Sequence, residues 1–513
     1  MKNIIGVREK LSSIVQDKNF LKLIAFYLLA HGGILLISNA IYWDDWILFQ
    51  GRPEIVVDMF TQQAGTLLYL EGYAHVALLK IGPWIYRVMT LCLMFMAGFF
   101  LDKILKKYLS LNDELRFFIV LLFLIFPFYS ARVSLIDFRY TVCYFLFFWA
   151  WFLMDRHRYS SMALFFISFN TNSLLVFYAV PIIDQIIRGR YFVSYKAARK
   201  YLIDNFLFLI LPFVYFLIKT QLFPPSGIYF KYNEQYSWGN LISTPLLQFE
   251  NLGELSFKSI HLFLILLFSI LSYWFLKKNQ KNILANKDKT PLWALVALGL
   301  LAFIFAGFPY WILGHVPTFN EWSSRHQLLL PLGFSLLLVG IICIAWSKQI
   351  GRVSLFLIIG ASLFVNLSNY VRLYIDWKKQ QSLVELFAKN EYIREAKVIV
   401  FDDATKELNA LDRSYRDYEW NGLVKMALGG EGRYCVDISN WNSKKDAKSD
   451  RMINKYYLAA DFDLDTLSDP LHVKIERIRP LESTLGQKIF YFVSPMLTLN
   501  VQKPQDTLQS NKF

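Results

Sequence analysis

The sequence predicts an all-α polytopic membrane protein followed by a small C-terminal α/β or α+β domain outside the membrane. Three observations carry this expectation. Apolar runs of membrane-spanning length recur along roughly the first 370 of 513 residues. Only 18% of the chain is charged while 55% is hydrophobic, whereas soluble domains carry about a quarter charged residues. Beyond about residue 377 the composition turns polar and strand-like runs appear.

A helical span needs about 20 mostly apolar residues. The segments that qualify are 21–40, 84–101, 115–132, 138–154, 203–220, 256–276, 291–312, 327–346 and 352–370. The first lacks a small-residue cleavage site and reads as a retained helix, not a signal peptide. Residues 1–20 form a basic N-terminus. The stretch 160–187 is apolar but carries "FNTNS" at 169–173.

Net charge is +14, from 54 Lys and Arg against 40 Asp and Glu. In a soluble protein this excess would point to nucleic acid. Here it concentrates in short loops: the N-terminus, 102–116, 155–159, 188–202, 277–289 and 347–352. Basic loops gathered on the cytoplasmic side explain it without any nucleic-acid partner. All of them share one side only if 160–187 enters and leaves the bilayer on the same face, hinged at Asn170-Thr171-Asn172. With that pair counted as two, the sequence gives about 11 membrane segments. The N-terminus is then cytoplasmic, while 41–83, 133–137, 221–255, 313–326 and everything after about 371 face outward. No internal repeat appears, so the layout of many secondary transporters gains no support.

The four cysteines, Cys92, Cys143, Cys343 and Cys435, form neither a disulfide framework nor a metal-binding spacing. The tail contains "AKVIVFDD", "RYCVDIS", "LHVKIERI" and "KIFYFVS" between helical stretches, which predicts a domain over 377–505. Residues 506–513 read as a disordered tail.

The first outer loop opens with "YWDDW", placing Asp44 and Asp45 just past the first span. Segments 53–70 and 73–86 carry apolar residues at helical spacing and read as interfacial helices. As an isolated pattern, two carboxylates between tryptophans equally describe an aromatic belt at the headgroups. The other outer segments add Arg132, Asp137 and Arg139 in one turn, where a self-paired hairpin is the better account of the two arginines. They also add Glu321, Arg325 and His326 before a late span, where Arg325 could simply snorkel. Lys231 and Tyr232 stand in an aromatic loop. Carboxylates, cations and aromatic faces together suit transfer of a sugar from a lipid phosphate to a hydroxyl. Such chemistry needs a base for the acceptor proton and cations for the departing phosphate.

An acidic motif directly after the first span, followed by interfacial helices, resembles the GT-C superfamily of integral-membrane glycosyltransferases. "RHQLLLP" (325–331) is similar to the family's "RYxxP"-like segment, with His in place of Tyr. Size and layout are similar to the bacterial serotype-modifying O-antigen glucosyltransferases. The resemblance implies a polyprenyl-phosphate sugar donor, an envelope glycan acceptor and residence in a bacterial inner membrane. It makes Asp44 or Asp45 the base, Asp137 a second acidic position, and Arg325 the donor-phosphate clamp, helped by His326 and Arg139. Lys231, Tyr232 and Glu321 are substrate-loop candidates. No cofactor is implied with certainty, and a divalent metal lacks the second acidic pair that would complete its site. Rival readings are a flippase or transporter, a glycan polymerase, and a non-catalytic assembly protein.

Overall fold

The computed structural model describes residues 18–63, 68–108, 111–189, 191–230, 236–253, 259–276, 290–316, 318, 322–346, 348–410, 413–429, 433–443, 470–478 and 496–502. The chain is mostly helical, with one four-stranded sheet near its C-terminus. Among the described residues, Pro83–Leu105, Thr290–Trp311 and Lys348–Lys389 are long and apolar enough to cross a membrane unaided. Tyr195–Asp204 and Phe206–Leu222 pass the same test together but bend by 53°. Phe138–Leu153, Ser259–Leu276 and Leu330–Ala345 are shorter apolar helices.

The expected spans shorten where the sequence breaks them. The first helix, Lys18–His31, stops at Gly32-Gly33 and turns into a 3-10 segment. A Cβ on Gly33 would come 2.7 Å from the Tyr370 side chain, so the glycine admits the long C-terminal helix to close range. Asp113–Ile125 begins where the Asn112 side chain accepts from the Leu115 N–H (2.7 Å). It ends before Phe126-Pro127, since the residue preceding a proline avoids helical geometry. Leu115 and every residue from Phe117 to Ile125 are buried, so this helix is enclosed by the bundle on all sides.

The segment expected as the first outer loop holds a short helix at Asp45–Gln50 and the two expected helices at Pro53–Gln62 and Leu68–Ile81. The expected 53–70 ran past the end of the first, and the expected 73–86 began after the start of the second and ran past its end. The second helix stops at Gly82, whose φ of +125° no L side chain adopts easily, and Pro83 starts the next helix.

The segment 160–187 is hinged. Arg158–Ser168 ends at Phe169-Asn170, and Ser173–Phe177 and Ala179–Gly189 return. Its two ends meet: Arg188 Nη1 lies 3.1 Å from Asp155 Oδ2, which also pairs with Lys107 (2.7 Å). Asp184, fully buried, accepts from Trp151 Nε1 (2.9 Å), Arg188 and the Tyr108 hydroxyl. The loops around 107, 155 and 188 therefore gather at one end of the bundle. Helix Pro83–Leu105 spans 23 residues, about 35 Å at 1.5 Å per residue, and separates this cluster from the acidic turn beside Tyr86 and Arg87.

The long helix Lys348–Lys389 runs unbroken through the expected membrane edge at 370 into the C-terminal domain. There strands β1 (Val398–Asp403), β2 (Tyr434–Asp437), β3 (Leu471–Arg477) and β4 (Leu497–Gln502) form a sheet in the order β2-β1-β3-β4. β1 pairs in parallel with β2 and β3, and β4 closes the edge antiparallel. β1 is central and nearly all buried, as its run of Val, Ile and Phe requires. Helix Asp417–Leu428 links β1 to β2. Of the expected strands, "KIFYFVS" lies outside the described residues, as do 1–17 and 503–513; β4 was not foreseen.

A buried ion pair ties the long helix to this domain. Lys379 Nζ contacts Asp403 Oδ2 (2.6 Å), Asn409 Oδ1 (2.7 Å) and the Thr405 carbonyl (3.1 Å). One apolar cluster runs from Trp46, Phe60 and Leu135 through Leu383 to Phe401 and Trp420. The domain thus shares its core with the segment that follows the first helix.

Candidate active site

Four distant parts of the chain converge on "YWDDW". Trp43 has φ +51°, a left-handed conformation that is costly for a large side chain. The turn it makes sends Asp44 and Asp45 in different directions. Trp43 packs edge-on to Trp322 with centroids 6.2 Å apart, and the Arg413 guanidinium lies 5.9 Å from its ring.

Asp45 points inward and is fully buried. Its Oδ1 accepts from Ser134 Oγ (2.9 Å) and from the N–H groups of Leu135 (2.7 Å) and Ile136 (2.9 Å). Burial pushes its carboxyl up to about 6, against the pull of Arg87 and these donors. This carboxylate fastens the turn before Asp137.

Asp44 is half-buried and lies at the start of Asp45–Gln50. Its Oδ1 accepts a hydrogen bond from the Tyr418 hydroxyl at 2.6 Å. Burial raises its pKa, while Tyr418, Arg325 and Arg416 oppose the shift.

Asp137 sits immediately before helix Phe138–Leu153 and is buried. Arg325 Nη1 lies 3.9 Å from its Oδ1. Burial pushes the carboxyl up to about 7; Arg325 draws it down, while the Asp45 and Asp44 charges push it further up.

Arg325 belongs to the 3-10 segment Trp322–Gln327. Its guanidinium stands 4.2 Å from the Trp322 ring centroid. Ser324 Oγ accepts from Ala131 N and Ser130 Oγ, both at 2.8 Å, which fixes this segment to the turn carrying Asp137. His326 stacks on Tyr310 (4.6 Å) and His315 (5.3 Å). Burial and the Arg325 charge hold its imidazole well below the ordinary value, hence neutral. Tyr310 in turn donates to Ser173 Oγ (3.0 Å), so the hinge of 160–187 borders the same cluster of side chains.

Asp45 Oδ2, Asp137 Oδ2 and His326 Nδ1 are buried without a hydrogen-bond partner among the described residues. Buried polar atoms are rarely left unpaired, and these three retain hydrogen-bonding capacity at the site.

The expected residues sort unevenly. Asp44, Asp45, Asp137, Arg325 and His326 come together. Arg139 turns away into an ion pair with Glu71 (3.2 Å) and a bond to Gln63 (3.0 Å), bracing helices Pro53–Gln62 and Leu68–Ile81. Lys231, Tyr232 and Glu321 lie outside the described residues. Among the described residues, no three His, Cys, Asp or Glu side chains form a group able to hold a metal ion. Tyr418 was missed: it lies 374 positions from Asp44, and only its aromatic and charged surroundings, "RSYRDYEW", could have drawn notice.

Comparison with protein-family models, with curated proteins and with solved structures gives no match for this chain.

Proposed function

We propose that this chain is an integral-membrane glycosyltransferase of the GT-C kind. It would move a sugar from a polyprenyl-phosphate donor to a hydroxyl of an envelope glycan such as O-antigen. The observation that supports this reading most is the meeting of Asp44, Asp137 and Arg325 from three separate segments at the end of the bundle opposite the Lys107, Asp155 and Arg188 cluster. In the proposed arrangement the chamber faces outward from a bacterial inner membrane. The helices, the hinged pair counted as two, make about 11 membrane segments, with the N-terminus cytoplasmic.

Asp44 serves as the base. It takes the proton from the acceptor hydroxyl while that oxygen bonds to the anomeric carbon. The bond from that carbon to the phosphate oxygen breaks, and its electron pair leaves with the polyprenyl phosphate. Arg325 neutralises the charge that develops there. Asp45 is given a fastening role instead, because it is fully buried where Asp44 is half-exposed, and its Oδ1 holds three donors of the neighbouring turn. Asp137, with a pKa of about 7, is protonated in part at neutral pH and in that form donates to a phosphate oxygen.

The test is transfer from a polyprenyl-phosphate hexose by the reconstituted chain. Asp44→Asn should reduce it roughly 10²–10⁴-fold, the usual worth of a general base, with the protein still folded. A flippase or an assembly protein would tolerate that change, and tolerance would refute the reading.

A further inference from the structure

Asp44 is not open to any hydroxyl that arrives, because the C-terminal domain already offers it one. Tyr418 stands in the first turn of helix Asp417–Leu428 and its phenol donates to Asp44 Oδ1 at 2.6 Å. The contact is built from both sides. Gly422, one turn further on, lies against the Trp46 indole, and any Cβ at that position would collide with the ring. Arg413, locked to the buried Glu419 by two bonds of 2.5 and 2.6 Å, reaches over Trp43. Three contacts therefore press one helix and its preceding loop onto "YWDDW".

A phenol presents to a carboxylate what a sugar hydroxyl presents: one O–H along an oxygen lone pair. We infer that Tyr418 occupies the seat of the acceptor hydroxyl on Asp44 and must be displaced by the acceptor before transfer. This inference rests on the transferase reading and assigns the C-terminal domain a gating role within it. The phenol is a safe occupant. Burial, with the Asp44 and Glu419 charges beside it, pushes its pKa far above the ordinary value, so it stays protonated and does not react. While it is seated, the phenol takes the place on that carboxylate oxygen that a water would need, which protects the donor sugar from hydrolysis. An acceptor must bring enough contacts of its own to break a charge-assisted bond, so acceptors that touch Asp44 alone are rejected.

The experiment uses the full-length chain in detergent or liposomes with undecaprenyl-phosphate glucose, galactose and mannose in turn, and smooth lipopolysaccharide as acceptor. Free hexose and transferred hexose are counted separately. Tyr418→Phe keeps the ring and removes the hydroxyl. It is expected to raise release of free hexose without acceptor by roughly tenfold or more, the size of a hydrogen bond to a charged group. The acceptor KM should fall by a similar factor, with kcat nearly unchanged. Hydrogen exchange within 417–428 should accelerate in wild type when acceptor is added. Unchanged hydrolysis, KM and exchange, beside transfer that still depends on Asp44, would overturn the gate and leave the transferase standing. Loss of transfer in Tyr418→Phe would also overturn it, making Tyr418 a residue that positions the base. Absence of transfer from all three donors in wild type would remove both readings.

Discussion

Asp44 and Asp45 are neighbours with the same side chain in different surroundings, and in the proposed reaction those surroundings decide what each does. Asp45 Oδ1 satisfies Ser134, Leu135 and Ile136 in a dry interior. Asp45→Asn keeps an acceptor oxygen there and should retain most activity. Asp45→Ala leaves three buried donors unpaired at about 1–3 kcal/mol each, and should lower the melting temperature sharply with activity lost through unfolding. Thermal denaturation beside the transfer assay separates the two outcomes. Asp137 supplies a pH dependence with a definite sign. Below about 7 it is protonated and can donate to the donor phosphate. Above that value it is an anion beside another anion. Donor KM should therefore rise as pH increases through about 7, and Asp137→Asn should flatten the rise. A KM in the Asn variant that keeps the wild-type pH dependence would exclude Asp137 from donor binding.

At the scale of elements, the Arg325 segment depends on the hairpin that presents it. Thr290–Trp311 and Leu330–Ala345 approach closely because glycines face each other: a Cβ on Gly299 would come 2.7 Å from Leu337 N and 3.1 Å from the Gly333 carbonyl. A Cβ on Gly333 would strike the backbone at Phe303. Gly333→Val should force the helices apart, destabilise the protein by more than the about 1–3 kcal/mol typical of overpacking, and raise donor KM in whatever fraction remains folded. Helix existence was legible in the sequence, because apolar runs and basic loops mark it. Helix ends were legible only in part. Gly32-Gly33 and Pro127 are breakers visible in the string, yet the hydropathy of "LKLIAFYLLAHGGILLIS" runs straight across them. The unbroken Lys348–Lys389 helix was not legible, since its polar half is stabilised by Lys379 and Asp376 bonding to residues 403–415, contacts that no local pattern announces. The site divides in the same way. Asp44, Asp137 and Arg325 could be found by asking which loops share a side. The turn-fastening role of Asp45, the diversion of Arg139 to Glu71 and the arrival of Tyr418 depend on tertiary packing.

For the whole molecule, one geometric fact constrains the topology independently of any membrane. A chain segment whose entrance and exit touch cannot have crossed from one face to the other, and Asp155 touches Arg188. Residues 107, 155 and 188 therefore share a side, and helix Pro83–Leu105 carries the chain about 35 Å from that side to the acidic turn, a distance exceeding a hydrocarbon core of about 30 Å. Asp44 and Arg325 lie together at the far end, joined through Asp137 and Ser324. Single cysteines introduced at Arg156 and Lys196, in a background with the four native cysteines replaced, should react with a membrane-impermeant maleimide only after the cytoplasmic face is opened. Cysteines at Asn440 and Arg477 in the C-terminal domain should react from the periplasmic face of intact spheroplasts. Labelling of Arg156 and Lys196 from opposite faces would require 160–187 to cross the bilayer once. In that case the basic loops after it would face outward, Arg325 would lie on the side away from Asp44, and the proposed site could not assemble.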